Sequence, residues 1–321
     1  MVGLTVLIAD KCDAAMIEKL QQAGHNVIVN PSLKDASLAE AISTHNPQAV
    51  MVRSTKVQRE HFDASDSLKL CVRLGAGYDT IDTAYAKEKG VRVCNTPGTN
   101  SVAVAELAMG LILSCDRFIP DNVIDARAGK WNKAAYSKGL GLKGKTVGLI
   151  GYGNIGKAVA QRAKAFEMNV LVYSRSMTPE KAQQEGVQYA ASPLEVAERA
   201  DIVSLHAANS PQTKGMCNAE FFEKMKNGAI FINTARAALV DEQALIEAMN
   251  TKGIKSGVDV PLGEPSEGAC AFESPLTLHP RAYVTSHTGA STEQASAAVG
   301  DVGFEVVEKF AAGELIHCVN L

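Results

Sequence analysis

The stretch VGLIGYGNIGKAVAQRAKAFEMNVLVYSRS, residues 147–176, constrains this chain more than any other. An apolar, β-rich run at 146–150 leads into Gly151, Gly153 and Gly156, spaced as GxGxxG, and a helical pattern follows. The first glycine permits a tight turn, the second lets backbone approach a pyrophosphate, and the third lets helix pack on strand. Asn154 and Ile155 then offer free N–H groups at a helix N-terminus, where an anion is stabilised. Ile155, Val159, Ala163 and Phe166, spaced by four, four and three, are expected to share one face of that helix. A bare GxGxxG also describes a βα turn that binds nothing. The strand before it, the amphipathic helix after it and the second strand that follows make dinucleotide binding the expectation.

That second strand, near 170–173, ends at Ser174, with Arg175 and Ser176 behind it. An aspartate at this point would accept hydrogen bonds from ribose hydroxyls and repel a 2′-phosphate. Serine removes the repulsion, Arg175 is placed to pair with a phosphate, and Ser176 can donate to it. The expected cofactor is therefore NADP(H). NAD(H) is the alternative, in which Arg175 is a solvated loop residue.

The same alternation runs through the rest of the chain. Apolar runs at 5–9, 49–52, 70–73, 91–93, 202–205, 229–232 and 283–285 are interleaved with helical patterns at 14–22, 102–113, 155–166 and 243–250. Most runs are unalternating, as strands buried on both faces require. Such an order implies an α/β protein with parallel sheets covered by helices. A length of 321 residues is large for one core and favours two domains. A last long helix is expected at about 292–312.

Charge and cysteine usage narrow the partners. A net charge of -3 argues against nucleic acid or an acidic membrane surface. The seven cysteines are odd in number, widely spaced and without a CxxC pair, which reads as reduced thiols in a cytoplasmic protein. The start, MVGLTVLIADKCD, reads as a first strand and not as a signal peptide. No apolar run reaches membrane-spanning length. His206, His279, His287 and His317 lack a ligand spacing such as HExxH, so no metal is expected.

Chemistry in such a fold belongs at the C-terminal ends of further strands. FINTARAALVDEQAL, 231–245, places Arg236 just past a strand, with a helix opening near Asp241. SGVDVPLGEP, 256–265, carries Asp259 and Glu264 on a strand and the loop after it. VTSHTGAST, 284–292, sets His287 in a glycine-containing turn after another strand. Singly these are a surface arginine, a solvated glutamate and a hydrogen-bonded loop histidine. Three together, downstream of a dinucleotide turn, point to a reaction centre.

Those segments, with VRSTKV at 52–57, RLGAGYDTID at 73–82 and VCNTPGTNSVAVAELA at 93–108, resemble the D-isomer specific 2-hydroxyacid dehydrogenase family, close to its D-3-phosphoglycerate dehydrogenase branch. The resemblance covers nearly the whole chain. It implies two Rossmann-like, doubly wound parallel-sheet domains with the active site in the cleft between them. The substrate domain would be discontinuous, 1–98 plus 290–321, and the dinucleotide domain would be 99–289. A homodimer formed through the region 101–140 is also implied.

The family pattern assigns Arg236, Glu264 and His287 as the catalytic set. In the reducing direction, hydride passes from nicotinamide C4 to the C2 carbonyl of a 2-oxo acid. An imidazolium at His287 can give its proton to the carbonyl oxygen. Glu264 would hydrogen-bond the other ring nitrogen and favour the charged ring. Arg236 would offer its fork of donors to the substrate. By the same resemblance Gly75, Ala76 and Gly77 bind the substrate carboxylate, Asp259 holds the nicotinamide carboxamide, and Thr234, Ala235 and Gly289 line the cofactor.

Arg53 and Ser54, with Lys56, match positions that meet the phosphate end of the substrate in phosphoglycerate dehydrogenases. The first expectation is thus 3-phosphoglycerate, in serine biosynthesis. Two departures keep an NADPH-dependent glyoxylate or hydroxypyruvate reductase open. The segment around Arg53 is one residue short, and Trp131 is followed by Asn132, Lys133, Ala134 and Ala135 where basic residues are usual. With the chain ending at Leu321, no C-terminal regulatory domain and no serine feedback are expected. A non-catalytic, cofactor-sensing corepressor of the same fold is disfavoured by the intact Arg–Glu–His set. A formate dehydrogenase is disfavoured by Glu264.

Overall fold

In the computed structural model, residues 3–265 and 269–321 are described. The chain forms two compact units, residues 1–100 with 291–321, and residues 101–290. The first holds β1 (Thr5–Ile8), β2 (Asn26–Val29), β3 (Ala49–Val52), β4 (Leu70–Arg73) and β5 (Arg92–Asn95). They pair in the order β2-β1-β3-β4-β5, every pair parallel. The second holds β6 (Thr146–Ile150), β7 (Asn169–Tyr173), β8 (Gln188–Tyr189), β9 (Ile202–Leu205), β10 (Ile230–Asn233), β11 (Lys255–Val258) and β12 (Ala282–Val284). Their order is β12-β11-β10-β9-β6-β7-β8, again all parallel. Both sheets are doubly wound. In the larger one β6 lies between β7 and β9, so the strand order reverses at the end of β6, where such sheets bind ligands.

Local chemistry explains the element ends. Asp13, Asp241 and Thr292 accept from the first-turn N–H groups of Ala15, Ala244 and Ala295, starting helices at Ala14–Gln22, Glu242–Lys252 and Glu293–Ala311. Gly253, left-handed at φ 67°, closes the second of these. β3, β9, β10 and β11 are buried at every residue. Two apolar layers sandwich each sheet. One layer of the larger unit contains Phe221, Phe222 and Phe231, with ring centroids 5.1–6.3 Å apart. In the smaller unit Val306 and Val307, on the last helix, pack with Met16, Leu20, Met51 and Val72.

Three details differ from expectation. The edge strands β2 and β8 lie outside the expected runs, although β2 carries the apolar stretch 27–29. Asn26 and Val29 are exposed and β8 is two residues long. Phe166 does not join the buried face of its helix. The helix ends at Ala165, Phe166 is 42% exposed, and Met168 occupies the core instead. β12 stops at Val284, one residue short of the expected run, so Thr285 already belongs to the following turn. Among the described residues, no helix is long and apolar enough to cross a membrane.

Candidate active site

The strands of the larger unit are parallel, so the segments following β6, β7, β10, β11 and β12 all emerge along one edge of one sheet. Gly151 has φ 103°, and a Cβ there would lie 2.5 Å from the His206 carbonyl. A Cβ on Gly156 would lie 2.3 Å from the Gly151 carbonyl oxygen. These two glycines are required by packing within the unit. Gly153 is different, because a Cβ on it would meet nothing within 4 Å. It caps the helix Asn154–Ala165, with Asn154 and Ile155 in the first turn. N–H groups of a first turn have no acceptor within their own helix. Open space beside Gly153 and donors just beyond it suit a diphosphate.

At the end of β7, the Ser174 and Ser176 hydroxyls lie 3.3 Å apart, and Arg175 is exposed. Lys181 joins them, its Nζ donating to the Ser176 carbonyl at 3.5 Å. It is brought there by a short helix, Pro179–Gln184, that Thr178 caps through the Lys181 N–H. Periodicity gave no sign of this second cation. Near the turn after β6, His206 is pushed down to about 4 by burial, and its Nε2 lies 2.9 Å from the Ser204 hydroxyl.

Past β10, buried Asn233 closes a tight turn. Its Oδ1 accepts from the Ala235 N–H and its Nδ2 donates to the Arg236 carbonyl, both at 3.0 Å. Thr234 is buried in this turn, and its hydroxyl has no partner among the described residues. A buried hydroxyl without a partner fits a polar group of a bound molecule. Half-buried Arg236 donates from Nη1 to the Ala235 carbonyl at 2.7 Å.

Past β12, His287 adopts φ 52°, a left-handed conformation that costs a non-glycine residue about 1–3 kcal/mol. Its Nδ1 lies 3.0 and 2.8 Å from the two oxygens of Glu264. A carboxylate only accepts, so Nδ1 carries the hydrogen. Both side chains are partly exposed, at 51% and 37%. Glu264 lies on the loop after β11, while Asp259, directly past β11, is 1% exposed. The Asp259 carboxylate accepts from the Thr285 hydroxyl at 2.5 Å and from the N–H groups of Thr288 and Gly289 at 2.9 Å. The carboxylate thus ties the end of β11 to the histidine turn. Gly289 is buried against it.

In the smaller unit, Gly75 has φ 144° and its N–H already donates to the Arg73 carbonyl at 2.9 Å. Asn95 and Thr96 hold the turn through the carbonyls of Ala76 and Gly75, at 2.7 and 3.1 Å. The Gly75 N–H is thus engaged within its own turn. The loop after β3 is tied down by Asp10, which the sequence did not single out. Its carboxylate accepts from the N–H groups of Arg53, Ser54 and Thr55 at 2.6–3.1 Å and from the Ser54 hydroxyl at 3.0 Å. The Ser54 hydroxyl hydrogen is consequently engaged within the unit.

The larger unit matches the sequence model of the D-isomer specific 2-hydroxyacid dehydrogenase NAD binding domain over residues 109–289. A hydroxypyruvate reductase of Thermotoga maritima is 42% identical over 263 residues, 81% of this chain and 82% of that protein. A D-3-phosphoglycerate dehydrogenase of Methanocaldococcus jannaschii is 38% identical over 316 residues, 98% of this chain. This chain spans 59% of the length of that relative. Among solved structures, the NAD+-bound 3-phosphoglycerate dehydrogenase of Entamoeba histolytica superposes with a TM-score of 0.83 at 28% identity, covering 100% of this chain and 99% of that one. The chain belongs to the D-isomer specific 2-hydroxyacid dehydrogenase family. Its larger unit is the family's NAD binding domain, the place of a nicotinamide cofactor.

Proposed function

We propose that this chain is a D-2-hydroxyacid dehydrogenase that works with NADP(H) and reduces small 2-oxo acids. The observation that carries the reading is the Glu264–His287 pair at the C-terminal edge of the sheet that bears the glycine-rich turn. The cofactor, when bound, supplies the hydride. Gly153 and the start of its helix would take the diphosphate, and Thr234 and Ala235 would line the nicotinamide half. Ser174, Arg175, Ser176 and Lys181 would take the 2′-phosphate. His287 would hold a proton at Nε2 for the carbonyl oxygen while Glu264 keeps Nδ1 protonated. Arg236 would hold the carboxylate and polarise the carbonyl. In this reading residues 101–290 are the dinucleotide unit. Residues 1–100 with 291–321 are the substrate unit, with Ala76 and Gly77 donating to the carboxylate.

Asp10 decides our order of substrates. A carboxylate bonded behind Arg53 and Ser54 opposes a second, doubly charged phosphate there. Glyoxylate and hydroxypyruvate therefore come first, which the similarity to a hydroxypyruvate reductase supports. Arg53 itself, and the near-full-length similarity to phosphoglycerate dehydrogenases, favour 3-phosphoglycerate as the second reading. Glyoxylate, hydroxypyruvate and 3-phosphohydroxypyruvate, each assayed with NADPH and NADH, test the proposal. Turnover of none overturns it. An Arg53→Ala variant that loses far more activity on the phosphorylated acid than on glyoxylate moves 3-phosphoglycerate to first place. A homodimer is supported by the apolar residues left exposed between 119 and 140, among them Trp131 at 90%, Leu140 at 65% and Ile124 at 62%. Light scattering at micromolar concentration tests it.

A further inference from the structure

The segment 317–320 lies along β5, the edge strand of the smaller sheet. The Asn95 N–H donates to the His317 carbonyl at 3.2 Å, and the Val319 N–H donates to the Val93 carbonyl at 2.8 Å. Buried Asn320 continues the pairing with its side chain. Its Oδ1 accepts from the Val93 N–H at 2.8 Å, and its Nδ2 donates to the Val91 carbonyl at 2.9 Å. The two backbone bonds bracket Cys94 and Cys318, which therefore face each other as a non-hydrogen-bonded antiparallel pair. Such a pair brings its Cα atoms to about 4.5 Å with the side chains close together, at the near end of the roughly 4.4–6.8 Å that a disulfide spans. The two thiols are in hydrogen-bond contact. Cys71, on the neighbouring strand, does not compete. It packs in the opposite apolar layer with Val93, while Cys94 packs with Val72.

We propose that Cys94 and Cys318 form a reversible disulfide, a redox modification site that staples the segment 317–320 to the edge of the smaller sheet. Access sets the order of events. Cys318 is half-buried and Cys94 is fully buried, so an oxidant meets Cys318 first. With a small disulfide such as glutathione disulfide, the Cys318 thiolate attacks one sulfur and expels one glutathione thiolate. The Cys94 thiolate then attacks the Cys318 sulfur of the mixed disulfide and expels the second. The two protein thiols give up two electrons and two protons, and the oxidant becomes two glutathione thiols. Burial, and then the Cys318 thiol beside it, raise the Cys94 pKa, so the second step is the slow one and quickens at alkaline pH. The bond joins the two stretches that build the smaller unit and closes a covalent loop that contains residues 101–290 in sequence. Closing so long a loop restricts the unfolded chain, which stabilises the folded unit.

Bond formation does not depend on the reaction proposed above. The whole chain, incubated with glutathione disulfide at a pH of about 8.5, should become lighter by two hydrogens. Proteolysis without reductant should then yield a peptide pair linking Cys94 to Cys318. The melting temperature should rise on the order of 5–10 °C and return when dithiothreitol is added. Cys318→Ser keeps a donor to the Asn320 Oδ1, which the thiol contacts at 3.4 Å, and removes the sulfur. Its melting without oxidant should match that of the native protein, and glutathione disulfide should not raise it. Cys94→Ala should likewise show no rise; if it does not fold, Cys318→Ser carries the test. An unchanged mass overturns the proposal. So does a glutathione adduct that stays on Cys318, a link from Cys318 to Cys270 or to a second chain, or a melting temperature that rises equally in Cys318→Ser.

Discussion

Both carboxylate oxygens of Glu264 face one nitrogen, Nδ1 of His287, at 3.0 and 2.8 Å. In the proposed reaction the ring's opposite nitrogen would serve the substrate. His287→Ala should lower kcat by about 10²–10⁴, the range for loss of a general acid, with NADPH binding kept. Glu264→Gln keeps the size and removes the charge. It should lower kcat by about 10–100-fold, since a hydrogen bond to a charged group contributes roughly 1.5–3 kcal/mol. Steady-state kinetics beside fluorescence titration check both. Wild-type turnover in His287→Ala would remove it from the reaction.

The serine and cation cluster after β7 predicts cofactor choice. If the cluster takes a 2′-phosphate as proposed, an arginine–phosphate contact of roughly 1.5–3 kcal/mol should give NADPH a preference on the order of 10–100-fold over NADH. Ser174→Asp should move that ratio toward NADH. Arg175→Ala and Lys181→Ala should each weaken NADPH and spare NADH, with smaller effects at high salt because the cluster is exposed. Equal kcat/KM for the two cofactors in the native protein would refute the pocket.

Arg236 is held by the Asn233 turn with its fork half-buried. Arg236→Lys replaces two coplanar donors by a point charge. KM should rise and kcat should fall for every 2-oxo acid accepted, phosphorylated or not. A variant that loses activity on one acid only would make Arg236 a specificity residue.

His206 predicts a pH dependence of stability. Burial lowers it from 6.5 to about 4 in the folded chain. The unfolded chain therefore takes up a proton first as pH falls. The contribution is complete above pH 6.5 and is lost progressively between 6.5 and about 4, with a slope of up to about 1.4 kcal/mol per pH unit. His206→Gln lacks this titration. Melting temperatures measured across that window should fall less steeply in the variant than in the native protein, and parallel curves would show that His206 titrates normally.

Central strands were readable because burial on both faces demands an unbroken apolar run, as in AVMV at β3 and IVSL at β9. The strands β2 and β8 were harder to read: in β2 the apolar stretch 27–29 is only three residues long and Val29 is exposed, and β8 is two residues long. Arg236, Glu264 and His287 stood out by their place after strands, and folding brings Glu264 and His287 together across 23 residues. Asp10, Asn233 and Lys181 did not stand out. Asp10 acts on residues 43 to 45 positions away, through backbone N–H groups that no side-chain pattern encodes. Asp259 was visible as a residue but not in its bonding, since three donors from the next strand's turn had to converge on it first.

The smaller unit is assembled from two stretches separated by the whole of the larger one. On the ribosome this imposes an order. Residues 101–290 emerge as one uninterrupted stretch and can close their own core as soon as they are out. The first hundred residues cannot, because Val306 and Val307 complete the layer that covers Met16, Leu20, Met51 and Val72. At about 5–20 residues per second, they wait on the order of 10–40 s with an apolar sheet face uncovered. The stretch 1–100 therefore exposes apolar surface for longer than the larger unit does, although it leaves the ribosome ahead of it.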